Sequence, residues 1–264
     1  MTDRISAGTS LSTQDIADLI DHALLKPELT PQDVRASVVD LAGQRIWSVC
    51  VRPADVPLAV EAAAGVEGSP TRVCTVIGFP HGTTSTAAKV AEARQALADG
   101  ATELDMVLHI GALIGGLHEQ VQDDIAAVVE VGHEAGVLVK VIFETVLLEE
   151  EQKKQACRLS EAAGADFVKT STGFAGGGAT LSDVRLMREQ CSPGVQVKAS
   201  GGVRDIDTAL AMVAEGVTRL GTSSTEALLH EARVREAGGT LVVPSPEADL
   251  DLPSGARPPV SDTY

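Results

Sequence analysis

The sequence predicts an α/β protein, a single (β/α)8 or TIM barrel with a short N-terminal helix and a flexible C-terminal tail. Three observations carry that reading. The chain has 264 residues, close to the roughly 250 typical of one such barrel. Short β-rich runs alternate with helical stretches along almost the whole chain, a pattern that implies parallel pairing. Charged residues recur where apolar strands end, at Asp105, Lys169 and Lys198, and barrels of this kind carry their chemistry at the carboxyl ends of their strands. A doubly wound open sheet is the alternative, but no GxGxxG follows an early strand.

A helix is expected from about Asp15 to Asp21, then a first strand over Ile20–Leu25 that Lys26-Pro27 closes, because a residue before proline avoids the helical region. Thr30-Pro31 starts the next helix, threonine as N-cap and proline at the first helical position, and it runs to about Gly43. Further strands are expected at Trp47–Val51, Arg72–Ile77, Glu103–Leu108, Leu138–Glu144, Phe167–Thr170, Gln196–Ala199 and Arg219–Gly221. Between them lie helices over Pro53–Ala64, Ser85–Asp99, Gln120–Ala135, Leu148–Ala163, Leu181–Gln190 and Asp205–Glu215. Counting the run at Ile20, that makes eight strands, the number that closes such a barrel. From Gly238 onward prolines sit among Asp, Ser and Gly without periodicity. Residues 1–237 therefore read as the barrel and 238–264 as the tail.

The bulk numbers limit the function classes. A net charge of -16 argues against nucleic acid and anionic membrane as partners, and no long apolar run suggests a membrane span. The N-terminus lacks a signal-peptide pattern, so a cytoplasmic protein is expected. Cys50, Cys74, Cys157 and Cys191 form no CxxC pair, so neither disulfides nor a metal site is expected. His22 and His109 read as hydrogen-bonded rim residues rather than catalysts, since no metal-ligand spacing joins them.

The chemistry resides in the strand ends. Side chains alternate along a strand, and a lysine facing the helix layer would be an unpaired buried charge. Lys140, Lys169, Lys198 and Asp105 are therefore expected to point into the barrel, with Glu103 on the face of Asp105. Lys169 and Lys198 lie one βα unit apart, on neighbouring strands about 4.8 Å from each other. Two ammonium groups about 4 Å apart at an effective dielectric near 20 repel by roughly 4 kcal/mol, enough to draw one amine from the ordinary lysine range towards neutrality. A neutral amine attacks carbonyls, and Asp105 would exchange protons beside it. These are the parts of Schiff-base chemistry with no metal and no cofactor. The alternative is a purely structural ionic cluster with Asp105, Glu103 or Glu144. Three loops, Thr172-Gly173, Ser200-Gly201-Gly202 and Gly221 to Ser224, offer backbone N–H groups and hydroxyls for a phosphate.

Asp21-His-Ala-Leu-Leu-Lys-Pro27, Glu103-Leu-Asp-Met-Val107, Val168-Lys-Thr-Ser-Thr-Gly173 and Val197-Lys-Ala-Ser-Gly-Gly-Val-Arg204 resemble the deoxyribose-phosphate aldolase family, in order, over about Asp15 to Leu228. The resemblance implies a class I aldolase without cofactor. Lys169 would form the Schiff base, Lys198 would perturb it, and Asp105 would move the protons. It further implies substrate contacts from Cys50 and Thr170, a phosphate held by Gly173, Gly201, Gly202, Ser223 and Ser224, and a proton shuttle from Tyr264. Partners would be a phosphosugar and small aldehydes, in a homodimer. Ala23, where the family often has threonine, and His81 and Gly176-Gly-Gly178 depart from the common pattern. A class I aldolase for another phosphosugar and a non-catalytic phosphosugar-binding barrel are the rival readings.

Overall fold

The structure, a computed structural model, describes residues 4–246. Eight parallel strands close a barrel in sequence order: β1 (Ile20–Leu24), β2 (Ser48–Val51), β3 (Arg72–Ile77), β4 (Glu103–Val107), β5 (Leu138–Ile142), β6 (Phe167–Lys169), β7 (Gln196–Ser200) and β8 (Arg219–Thr222). β8 pairs back to β1, with Asp21 opposite Gly221. The helices around it are α1 (Thr13–Ala17), α2 (Pro31–Gly43), α3 (Val56–Ala64), α4 (Thr86–Ala98), α5 (Ile110–Ile114), α6 (His118–Glu134), α7 (Glu150–Ala162), α8 (Leu181–Gln190), α9 (Ile206–Ala214) and α10 (Thr225–Ala237).

Local chemistry places these elements. Ser12 with Asp15, and Thr30 with Asp33, form capping boxes that start α1 and α2. Along β4, β5, β6 and β7 the residues Leu104, Met106, Val139, Val141, Val168 and Val197 are buried in the apolar core shared with the helices. The alternating positions face the barrel axis and carry the charges. That alternation is what delivers polar side chains to a sealed interior.

Several boundaries differ from the sequence expectation: α1 ends at Ala17, so Asp21 belongs to β1, α3 starts at Val56 after a 3-10 turn over Pro53–Asp55, and α10 had no counterpart in the expected helices. α1 starts at Thr13, two residues before Asp15, because Ser12 supplies its cap. β5 ends at Ile142, since Glu144 adopts a left-handed backbone with φ 58°. α6 begins at His118 and is preceded by α5, a five-residue helix capped by His109.

The tail boundary also moves. Leu241 and Val243, two residues apart, are buried, and Val242 forms an isolated antiparallel bridge with Ser10. Gly8 N–H donates to Val243 O, Leu11 N–H to Leu241 O and Val243 N–H to Thr9 O, at 2.9–3.0 Å. Packing thus continues to Val243 rather than stopping at residue 237. Two apolar side chains on one face of an extended segment outweigh the proline-rich composition around them. The rest of the expected tail, residues 247–264 with Tyr264, lies outside the described residues.

Candidate active site

Asp105 is the centre of the site. It is fully buried on β4, and three lysines converge on its carboxylate. Lys169 Nζ lies 2.7 Å and Lys198 Nζ 2.8 Å from the same oxygen, Oδ2, while Lys140 Nζ lies 2.7 Å from Oδ1. The strand register explains the convergence: Asp105 pairs with Lys140, and Lys169 with Lys198. Lys169 and Lys198 are on neighbouring strands facing one axis, and neither nitrogen is further from the other than twice the longer of those distances.

A second tier lies beneath. Asp21 on β1 binds Lys198 through Oδ2 and Arg219 through Oδ1 at 2.9 Å, and Ser48 Oγ donates to the same Oδ1 at 2.6 Å. Glu103 pairs with Lys140 at 2.5 Å and Arg219 at 3.0 Å, and accepts from Trp47 Nε1 at 2.7 Å. The Arg219 guanidinium stacks 4.3 Å from the Trp47 ring and 5.4 Å from Phe167, which anchors it.

The charge count is uneven. Lys140, Lys169, Lys198 and Arg219 face Asp21, Glu103 and Asp105: four cations and three carboxylates. Burial alone would raise the Asp105 carboxyl, but Lys140, Lys169 and Lys198 outweigh it and hold it well below the ordinary carboxylate range. Asp21 is likewise held down by Arg219, Lys198 and Lys140 against the effect of burial. Burial would lower Lys198, yet Asp105 and Asp21 raise it above the usual lysine value; Lys140 is raised for the same reason by Asp105, Cys74 and Glu103. Asp105 sits between Lys169 and Lys198, so the surplus belongs to the whole cluster rather than to the two amines alone.

An apolar wall adjoins the amines. Leu25, Cys50, Cys74 and Val76 form a small buried cluster with Ala23 and Phe79 against it. Cys74 Sγ lies 3.3 Å from Asp105 Oδ1, so this wall reaches the carboxylate. Cys50, Cys74 and Asp105 have ligand atoms within 4.8 Å of one another, a set that metals use. Three ammonium groups already occupy that carboxylate, and Lys140 Nζ is 3.7 Å from Cys74 Sγ. The donor set therefore suits a cation poorly.

The other sequence-assigned residues divide. Cys50 lies in the apolar wall, next to the site. Thr170 is fully buried; its hydroxyl donates to Ser200 O and accepts from Ser200 N–H, so it braces the loops instead of facing the mouth. Gly173 and Gly202 have positive φ, and a Cβ at either would meet nothing within 4 Å, so both border open space. Gly201, also at positive φ, has no room for a side chain: a Cβ there would lie 2.9 Å from Gly178 Cα. Ser223 and Ser224 precede α10, whose N-terminus has no side-chain cap. They also line a cleft of about 330 Å³ with His22, Asp40 and Glu226. Glu144 binds Thr172 and is not an ion-pair partner of the lysines among the described residues. His22 is held by Thr225 at 2.8 Å and burial pulls it down to about 4, while His109 accepts from Ala112 N–H.

Asp21 and Arg219 were not among the assigned site residues. An acidic residue inside the apolar run Ile20–Leu25 was the available signal for Asp21, by the same argument that found Asp105. Arg219 opens a short strand, and its partners lie 198 and 116 residues away.

Amines gathered on one carboxylate at the inner face of a (β/α)8 barrel define the class: an enzyme of lysine-based carbonyl chemistry. Residues 16–223 match the DeoC/LacD family of aldolases, and the chain belongs to that family. It is 50% identical over 222 residues to the deoxyribose-phosphate aldolase of Thermococcus gammatolerans, covering 84% of this chain and 98% of that one. The Rhodospirillum rubrum deoxyribose-phosphate aldolase is 49% identical over 238 residues, covering 90% and 98%. Among solved structures, the aldolase QR15 superposes with a TM-score of 0.79 at 39% identity, covering 84% of this chain and 98% of that one. A tetrameric deoxyribose phosphate aldolase from Aeropyrum pernix gives 0.74 at 34% identity, covering 83% and 92%. Among the described residues, no helix is long and apolar enough to cross a membrane.

Proposed function

We propose that the protein is a class I aldolase that reversibly cleaves 2-deoxy-D-ribose 5-phosphate to D-glyceraldehyde 3-phosphate and acetaldehyde, in deoxynucleoside catabolism. The observation that carries this reading is the cationic surplus around Asp105. Loss of one proton leaves three cations facing three carboxylates. Lys169 has one carboxylate partner, Lys198 has two and Lys140 has three, counting Asp21 at 3.8 Å. Lys169 is the amine the cluster holds least, and at 4% exposure the one nearest the mouth.

In this mechanism the Lys169 amine attacks the C1 aldehyde of the open-chain sugar. The carbinolamine loses water to give an imine. Asp105, through a water, takes the C3 hydroxyl proton; the C2–C3 bond breaks and its electron pair moves into the imine to give an enamine. Glyceraldehyde 3-phosphate leaves. Protonation at C2 and hydrolysis then free acetaldehyde and return Lys169. A carboxylate as acidic as Asp105 does not retain the proton but returns it through the water to C2 of the enamine, while the Lys198 ammonium stays on its Oδ2. The cluster supplies the charges itself, and the reading needs no metal or cofactor.

The phosphate would meet the N–H groups at Gly173, Gly201 and Gly202 and the uncapped start of α10 at Ser223 and Ser224. Tyr264 keeps its place in this proposal as a C-terminal proton shuttle; a chain ending at residue 263 should turn over more slowly, and an unchanged rate removes that role. A cytoplasmic location is supported by four free, buried thiols. Assembly as a homodimer is expected, and light scattering reads it directly. The test of the whole reading is turnover of deoxyribose 5-phosphate set against other sugar phosphates. Preference for another sugar would keep the chemistry and change the substrate, whereas binding without turnover would make the barrel a sensor.

A further inference from the structure

Glu144 stands outside the charge cluster, yet its backbone is unusual. It is one of two non-glycine residues at positive φ among the described residues, with φ 58° and ψ 64°. Such a conformation costs of order 1 kcal/mol or more and persists only where its surroundings enforce it. Here they do: Phe143 N–H donates to Lys169 O and Thr145 N–H to Thr170 O, both at 3.0 Å, so the residues on either side of Glu144 stay on the ladder with β6. The side chain between them is turned inward and is 1% exposed.

Its carboxylate accepts from Thr172 N–H at 3.2 Å and from the Thr172 hydroxyl. The same hydroxyl accepts from Phe174 N–H at 3.0 Å. Phe174 in turn packs edge-on against Phe79, with ring centroids 5.2 Å apart at 83°. Phe79 follows β3 and Phe174 follows β6, three strands round an eight-stranded barrel, so the pair spans the mouth. Beyond it the loop has no slack: a Cβ at Gly178 would lie 2.4 Å from Gly201 O, and one at Gly177 2.7 Å from Val146. Burial raises Glu144, while Thr172, Lys169 and His81 oppose the rise.

We propose that Glu144 is a positioning residue: its strained backbone aims a buried carboxylate at Thr172, fixing the Thr172–Phe174 loop that closes the mouth on Phe79 and presents Gly173 to the phosphorylated end of the substrate. This rests on the aldolase reading above, and it concerns how the sugar is held rather than how Lys169 reacts. A phosphate-free aldehyde should therefore not depend on it.

The experiment uses the full chain with Glu144→Gly, Glu144→Ala and Glu144→Gln. Glycine accepts φ 58° without strain, so Glu144→Gly removes the carboxylate while sparing the backbone. Loss of a hydrogen bond to a charged acceptor predicts a rise of about tenfold or more in KM for deoxyribose 5-phosphate in the Gly and Ala variants. Borohydride trapping of acetaldehyde at Lys169 should stay within about twofold of the parent chain. Glu144→Gln, whose amide oxygen still accepts from Thr172, should restore most of the KM. Three results would overturn the proposal: a Gln variant as impaired as Gly, trapping lost in parallel with KM, or an unchanged KM in Gly. A parent chain that forms no Lys169 adduct would instead refute the aldolase reading itself, which separates the two.

Discussion

Lys89 and Lys169 are both buried ammonium groups, and they show how differently one side chain can be used. Lys89 lies in the helix layer on α4, with its nitrogen 2.5 Å from Asp124 of α6 and 2.8 Å from Val107 O. One cation meets one carboxylate and a carbonyl, and nothing is left over. Lys169 shares a single carboxylate oxygen with Lys198, in a cluster holding one more cation than carboxylates. The Lys89 pair is balanced, whereas the Lys169 cluster leaves one cation without a carboxylate of its own. Burial alone therefore does not mark a working lysine. The number of amines per carboxylate does.

The largest effect that breaks this comparison is at the amine itself. Lys169→Leu should lower turnover of deoxyribose 5-phosphate by about a thousandfold or more, as loss of a covalent nucleophile does. Its melting temperature should change little, because Asp105 keeps two ammonium partners. Asp105→Asn should cost about a hundredfold or more in kcat through lost proton transfer, and should also destabilise, since three ammoniums then face a neutral group. At Lys89 the order reverses. Lys89→Met should cost about 3–5 kcal/mol of stability by stranding Asp124, read by denaturant unfolding, while kcat per folded molecule stays at the parent value. The Lys89→Met, Asp124→Leu double variant should recover much of that loss.

The smallest effect is that of pH on folding. Asp105 and Asp21 are held below their ordinary range, so their contribution is complete above the unfolded value of about 3.9 and disappears as pH falls through the lower folded values. Lys198 and Lys140 are raised, so theirs is complete below about 10.4 and is lost as pH climbs above it. Melting temperature should be level from about pH 7 to about 10; below about 6.5 it should begin to fall because buried His22, drawn down to about 4, resists protonation, and it should fall further outside the carboxylate and lysine limits. A decline already evident between pH 7 and 9 would contradict the assignment of these charges.

Much of this was legible in the chain. The barrel followed from strands recurring after helices, and Asp105, Lys140, Lys169 and Lys198 from charges at alternating positions in apolar strands. Each is a local signal that period-two geometry converts into position. The rest depends on closure. Arg219 meets Asp21 only because β8 returns to β1, and no sequence window spans that distance. Glu144 reads as the last residue of a strand; its left-handed turn arises from the ladder on either side. Leu241 and Val243 were hidden by the prolines near them, and the use of the Thr170 hydroxyl depends on the exact course of the next loop.

The most direct measurement is reductive trapping with acetaldehyde and borohydride across pH, followed by peptide mass spectrometry. The account predicts one adduct, on Lys169, with Lys198 and Lys140 unmodified. An adduct on Lys198 or Lys140, or no adduct on Lys169, would contradict it.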